Sequence, residues 1–320
     1  MIANRFRRLG LAVIPLLVAS TVAAAQDKDR TLRIGYQRSS TLITVLKSNG
    51  GLEKALAPLG VTITWHEFTS GLPQLEALNT GNIDFSADVA DTVPIFAQAA
   101  GAKLAYVAQE APSPAAQAIL VPADSPIKSV ADLKGKKVAV TKGAGSHYLL
   151  IAALAKAGLT SKDVTSAYLT PADGRAAFVS HNVDAWVAWD PFLSTARAQN
   201  NARVLTDGSH GLASYKRYYL ASESYAARHG DILKVVYDQL DETGKWVKAK
   251  PEDAAKLLAG IWKIDPAIAA EAIANRSYKV GHVTREGLSE QKQIADAFYA
   301  AGLLPKKVDT TDVTLWQATN

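Results

Sequence analysis

The strongest constraint on this chain is an alternation of short β-like and helix-like stretches that runs twice, with one interruption. β-Branched runs at 32–36, 61–65, 83–85 and 104–108 alternate with amphipathic segments at 41–56, 72–78 and 93–99. The pattern stops at Glu110-Ala111-Pro112-Ser113-Pro114 and then restarts. Strand signals recur at 118–121, 138–141, 167–169, 184–189, 204–205 and 217–221, with a long helix expected at 146–157. From Tyr225 onward the signal is helical almost to the end, broken at Pro251, Pro266 and Gly281. Such alternation predicts open, mostly parallel sheets with helices on both faces. The proline break predicts an α/β protein of two Rossmann-like lobes around a cleft, with a helical C-terminal region. Clefts between lobes are where small ligands bind.

The two stretches echo each other. Leu75-Glu76-Ala77-Leu78-Asn79-Thr80-Gly81-Asn82-Ile83-Asp84 is answered by Arg175-Ala176-Ala177-Phe178-Val179-Ser180-His181-Asn182-Val183-Asp184. Each is a helix, an Asn-x-Asp turn and then a buried strand. Two readings stand: helix-to-strand turns that reuse Gly and Asn because those residues tolerate a left-handed backbone, or two lobes of one architecture.

The N-terminus carries Arg5, Arg7 and Arg8, then an apolar run at 9–19, then Ala23-Ala24-Ala25. This order predicts a secretory leader over 1–25, too short to span a membrane; Arg7-Arg8 leaves the twin-arginine route open. Those three arginines supply much of the +5 net charge over the 320 residues, so the basic balance is no argument for nucleic acid. No stripe of basic and aromatic residues supports nucleic-acid binding either. The absence of cysteine excludes disulfides, thiol nucleophiles, Cys-ligated metals and a lipid-modified cysteine anchor. An exported, unanchored chain of this kind is expected in the periplasm.

Three segments carry chemistry. Gln37-Arg38-Ser39-Ser40-Thr41 follows the first strand and opens a helix. Such a turn presents free backbone N–H groups and the positive end of the helix dipole, so its serines either cap the helix or bind an anion. Lys142-Gly143-Ala144-Gly145-Ser146-His147 occupies the same place in the second stretch. It lacks the third glycine of a dinucleotide fingerprint and the Lys-Ser/Thr of a P-loop. Two helix N-termini, one per lobe, can face one anion from opposite sides. His147 is either a polar neighbour of the helix start or an N–H donor in the cleft. In Asp88-Val89-Ala90-Asp91-Thr92, Asp91 is a helix cap or a ligand contact. In Asp184-Ala185-Trp186-Val187-Ala188-Trp189, alternation puts the tryptophans on opposite faces. Either both are core, or Trp189 lines the cleft as an apolar platform.

Catalytic templates are missing. The histidines at 66, 147, 181, 210, 229 and 282 show no metal-binding spacing, and no Gly-x-Ser-x-Gly elbow occurs. No cofactor and no metal are expected.

At Leu32-Arg33-Ile34-Gly35-Tyr36-Gln37, Pro94-Ile95-Phe96-Ala97-Gln98-Ala99-Ala100-Gly101, Ser125-Pro126-Ile127-Lys128-Ser129-Val130-Ala131-Asp132-Leu133-Lys134-Gly135, Tyr168-Leu169-Thr170-Pro171-Ala172-Asp173 and Leu304-Pro305-Lys306-Lys307-Val308-Asp309, the chain resembles the aliphatic sulfonate-binding proteins of bacterial ABC importers. Taurine-, nitrate- and pyrimidine-precursor-binding relatives share their fold. The resemblance implies a type II periplasmic binding protein, a monomer that carries an alkanesulfonate to an inner-membrane permease. Lobe one would comprise 26–114 and 223–320, and lobe two 115–222. By position, the contacts would come from Gln37, Ser39 and Ser40, from Gly145, Ser146 and His147, from the loop at Ala90 and Asp91, and from Trp189. Taurine, nitrate or another oxyanion is the alternative ligand, and a pyrimidine-forming enzyme the alternative class. One stretch departs from the family: Ala87-Asp88-Val89-Ala90-Asp91-Thr92-Val93-Pro94 is one residue longer, lacks a glycine and carries an extra acid.

Overall fold

The computed structural model describes residues 30–317, and the expected leader lies outside them. Before the proline break come β1 (Thr31–Gln37), α1 (Thr41–Asn49), α2 (Gly51–Leu56), β2 (Thr62–Phe68), α3 (Gly71–Asn79), β3 (Phe85–Ala90), α4 (Val93–Ala99) and β4 (Leu104–Glu110). After it come β5 (Gln117–Pro122), β6 (Lys137–Val140), α5 (Gly145–Lys156), β7 (Thr165–Tyr168), α6 (Pro171–Val179), β8 (Ala185–Trp189), α7 (Phe192–Gln199) and β9 (Ala202–Asp207). The chain returns through β10 (Arg217–Ser222) to α8 (Glu223–Arg228), α9 (Gly230–Ala249), α10 (Pro251–Trp262), α11 (Pro266–Ala274), β11 (Val280–Gly281), α12 (Ser289–Ala300) and β12 (Thr314–Leu315). The helix expected over 41–56 is two helices, because Gly50 takes a left-handed φ of 64° and its N–H caps α1 on the Leu46 carbonyl.

The first sheet has the order β11-β4-β10-β3-β1-β2, with β12 also on β4; the second has the order β7-β6-β8-β5-β9. In each, three parallel strands (β2-β1-β3 and β7-β6-β8) are followed by an antiparallel strand, β10 or β5. The two lobes therefore share one strand order, and the sequence echo is structural down to single bonds. Asn82 Nδ2 donates to Thr80 Oγ1 at 2.8 Å, and Asn182 Nδ2 to Ser180 Oγ at 2.9 Å. Asp84 Oδ2 accepts the N–H of Arg33 at 2.9 Å, and Asp184 Oδ2 that of Lys137 at 2.7 Å. In each lobe the Asp pins the turn to the start of the neighbouring parallel strand.

The chain crosses between the sheets at 111–116 and 208–216. These crossings are bonded to each other, Ser113 N–H to the Ser214 carbonyl at 2.9 Å and Gly208 N–H to the Pro114 carbonyl at 3.0 Å. A Cβ on Gly208 would lie 2.4 Å from the Ala213 oxygen and 2.8 Å from the Pro114 oxygen, so only glycine fits there. The C-terminal helices do not stay on one lobe. α9 packs on α1 and α2, α11 on α7, and α12 on α5, and Ile294 and Phe298 of α12 join the core of the second sheet.

Candidate functional site

Both sheets aim the carboxyl ends of their parallel strands at the same cleft, which is where an open α/β sheet presents loops and helix N-termini. From the first lobe come the turn after β1 and the end of β3, and from the second the turn before α5 and the end of β8. The second crossing contributes Tyr215. The lobes touch across this cleft. Thr92 Oγ1 donates to the Gly143 carbonyl at 2.6 Å, and Trp189 Nε1 lies 3.4 Å from Ser39 Oγ.

Two spaces lie between them. An outer chamber of about 440 Å³ is lined by Gln37, Ser39 and Trp189 together with Phe68, Phe192 and Trp262. Beneath it a recess of about 10 Å³ is lined by Gln37, Ala90, Gly145, Trp189, Tyr215 and Arg217. The recess has room for about one water, so the lobes must part to admit a larger head group.

Of the expected site residues, Gln37, Ser39, Ala90, Gly145 and Trp189 line these spaces. Trp186 packs instead in the core of the second lobe. Ser146 is fully buried beside them in the first turn of α5, and its Oγ has no hydrogen-bond partner. The first N–H groups of α5, at Gly145 and Ser146, have no partner within the helix.

Three residues are placed otherwise. Ser40 Oγ accepts the Gln37 N–H at 3.1 Å, which closes the turn and keeps this hydroxyl out of the cleft. Asp91 neither caps α4, which starts after Thr92, nor lines either space; its Oδ2 accepts the Lys216 N–H at 3.0 Å and ties β3 to the second crossing. His147 is no donor to the cleft. Its Nδ1 accepts the Gly143 N–H at 3.1 Å, and its ring packs between Tyr168 and Phe298. Burial, helped by Lys142, lowers its pKa to about 4, so it is neutral and holds the Gly143 turn.

The stretch at 87–94 begins inside a strand. β3 runs on to Ala90, and its pairing with β10 shifts between Tyr218 and Leu220, so that Ala87 and Asp88 together oppose Tyr219. This is a β-bulge, and Asp88 sits in it with φ 58°. The bulge turns the Asp88 carboxylate inward to two arginines that sequence reasoning missed. Asp88 Oδ1 accepts from Arg217 Nε at 2.5 Å and from Arg276 Nη2 at 3.1 Å, and Arg276 also donates to Glu110 Oε2 at 2.8 Å. All four side chains are at most 4% exposed. Tyr219 OH donates to Glu110 Oε1, and Tyr215 OH accepts from Arg217 Nη1, both at 2.6 Å. Of this buried quartet, Arg217 lines the recess. A signal for Arg217 was present: one arginine inside the buried run Tyr218-Tyr219-Leu220-Ala221 must be paired.

Asp91 is titratable within reach of physiological pH. Burial, reinforced by Glu290, raises its pKa to about 7. A carboxyl whose folded pKa is raised contributes stability at low pH that is lost as pH climbs through the folded value. Asp91→Asn is therefore expected to remove a decline of up to about 1.4 kcal/mol per pH unit between roughly pH 4 and 7. Urea midpoints of both proteins across that range check it, and parallel curves would refute it.

Among the described residues no group of three or more His, Asp or Glu side chains could hold a metal ion, and no helix is long and apolar enough to cross a membrane.

Two matching α/β lobes, joined by paired crossings and closed over buried donors, define a bilobal binding protein of the periplasmic-binding-protein fold. The profile described as NMT1/THI5 like matches residues 59–254. An aliphatic sulfonates-binding protein of Escherichia coli (strain K12) is 44% identical over 97% of this chain and 96% of its own. Among solved structures, the alkanesulfonate-binding protein of Xanthomonas axonopodis pv. citri bound to MOPS has a TM-score of 0.83 at 39% identity, over 88% of this chain and 96% of its own. The periplasmic aliphatic sulphonate binding protein of Escherichia coli has a TM-score of 0.81 at 44% identity, over 90% and 98%. The chain belongs to the NMT1/THI5 like family and, within it, to the aliphatic sulfonate-binding proteins.

Proposed function

We propose that this protein captures aliphatic sulfonates in the periplasm and delivers them to the permease of an ABC importer, acting as a monomeric receptor and not as an enzyme. The observation that carries this is a set of buried donors without firm partners at the closure surface. Ser146 Oγ has none, Gln37 Nε2 reaches the Asp88 carbonyl only at 3.4 Å, and Trp189 Nε1 reaches Ser39 Oγ only at 3.4 Å. Buried donors need acceptors, and a sulfonate offers three oxygens and no proton. The N-terminus of α5 and Arg217 add a favourable field for an anion.

The carboxylates nearest the recess are already engaged, Asp88 by arginines and Asp91 by the Lys216 N–H. Among the described residues no carboxylate lines the recess to accept a proton from phosphate, which argues for a fully ionised oxyanion. The named activities of the relatives support the same reading.

A ligand gripped by both lobes stabilises the closed form. At a hundredfold excess over Kd it should add about 2.7 kcal/mol of stability, visible as a thermal upshift. Small-angle scattering should show compaction on binding. Calorimetry against ethanesulfonate, taurine, sulfate, nitrate and phosphate tests the head group. Sulfate or nitrate binding while every sulfonate fails would overturn the assignment, and a thermal upshift with no compaction would overturn the two-lobed grip.

A further inference from the structure

The recess and the outer chamber differ in chemistry. The recess presents donors and a guanidinium, whereas the chamber presents rings beside the side chains of Arg38, Glu67 and Arg175. Phe68, Trp189, Phe192 and Trp262 line it, from β2, β8, α7 and the end of α10, with Pro171 and Pro191 between them. Trp189 and Phe192 meet edge to face, their centroids 6.1 Å apart and their planes at 82°. This arrangement leaves ring faces and edges available to a further ring.

Trp262 is held in place by a reciprocal pair of bonds. Its Nε1 donates to the Arg38 carbonyl at 2.9 Å, and Arg38 Nη2 donates to the Ile261 carbonyl at 2.7 Å. The indole on the chamber wall is thereby fastened to the turn that carries Gln37 and Ser39. This ties the Trp262 side of the chamber wall to the first lobe's share of the proposed head-group donors.

Size points the same way. An apolar cavity of about 150 Å³ suffices to bind benzene, and this chamber is about 440 Å³. A two-carbon tail would leave most of its aromatic surface wet. Filling it with a ring removes that surface from water and adds ring-to-ring contact.

We propose that the outer chamber is a subsite for an aromatic ring, so that arenesulfonates of one or two rings are ligands of this protein, with Trp262 a specificity-determining residue. This rests on the sulfonate reading above.

The test is calorimetry with ethanesulfonate, benzenesulfonate and naphthalene-2-sulfonate on the wild-type protein, Trp262→Ala and Trp262→Phe. The expected result is an arenesulfonate Kd at least about tenfold below that of ethanesulfonate. In Trp262→Ala that ratio should fall close to one. Trp262→Phe keeps a ring, loses the bond to the Arg38 carbonyl and should retain most of the preference. Thermal melts confirm that each variant is folded, and quenching of tryptophan fluorescence by naphthalene-2-sulfonate should shrink in Trp262→Ala. Ethanesulfonate binding as tightly as the arenesulfonates overturns the ring subsite and leaves the sulfonate reading standing. A preference that survives Trp262→Ala unchanged overturns the role of Trp262. Failure of all three sulfonates to bind the wild-type protein removes the sulfonate reading itself.

Discussion

Asp88→Asn is expected to destabilise the protein by about 3–5 kcal/mol, the usual cost of removing one partner from a buried ion cluster. Asparagine keeps the size of the side chain and tolerates the left-handed backbone at φ 58°, so strain does not confuse the result. What it removes is the charge shared by Arg217 and Arg276. Glu110 cannot take over, because it bonds Arg276 and not Arg217. Burial also pushes the Glu110 carboxyl above its ordinary pKa, although Arg276 opposes the shift. Urea unfolding at neutral pH measures the effect. A loss below about 1 kcal/mol would mean that water or a bound anion already compensates the arginines, and the quartet would not then be a structural tie between β3, β4 and β10.

Gly145→Val should do the opposite, sparing the fold and damaging the grip. A Cβ at this position falls 2.5 Å from Tyr215 Cε2 on the second crossing and 3.2 Å from Ala90 Cβ across the cleft. Gly145 opens α5, where valine is tolerated at a cost of a few tenths of a kcal/mol. The added bulk therefore acts as a wedge between lobes. Sulfonate affinity is expected to fall at least about tenfold, or 1.4 kcal/mol, with the thermal midpoint of the free protein little changed. Scattering should show that the variant with ligand fails to compact as the wild type does. Unchanged affinity and full compaction would mean that the ligand-bound form holds Gly145 and Tyr215 apart, with the anion seated elsewhere in the cleft.

Local pattern revealed most of the elements, because they are short and strongly periodic. The two Asn-x-Asp turns were visible as an echo and became matching hydrogen bonds. Glycine and glutamine at strand ends pointed to Gly145 and Gln37 for a local reason, the geometry of a strand-to-helix turn. Arg217 carries a local signal that it is paired but none that names its partner, and Arg276 and Trp262 carry no local signal, because Asp88 and the turn after β1 lie more than a hundred positions away in sequence. Asp88 lies in a strand that local pattern does not show, because its bulge interrupts the period-two alternation on which strand assignment rests. His147 occupies the position that sequence suggested, yet its ring turns to Gly143; rotamer choice is settled by the packing of Tyr168 and Phe298, which the helix pattern does not encode.

The first sheet has its strand order out of step with its synthesis. β10 lies between β3 and β4 and bonds to both, yet it is made only after the whole of the second sheet. Until it arrives, the inner edges of β3 and β4 have no partner, and the carboxylates of Asp88 and Glu110 have no arginine. The segment from β5 to β9 meets no such delay, since every strand of its sheet falls within 117–207. The lobe begun first is thus the lobe completed last. For a chain that emerges N-terminus first, this leaves β3 and β4 as the open edges on which a holding chaperone or a wrong strand acts; β10 then fills the gap between them and brings Arg217 to Asp88, while Glu110 waits for Arg276.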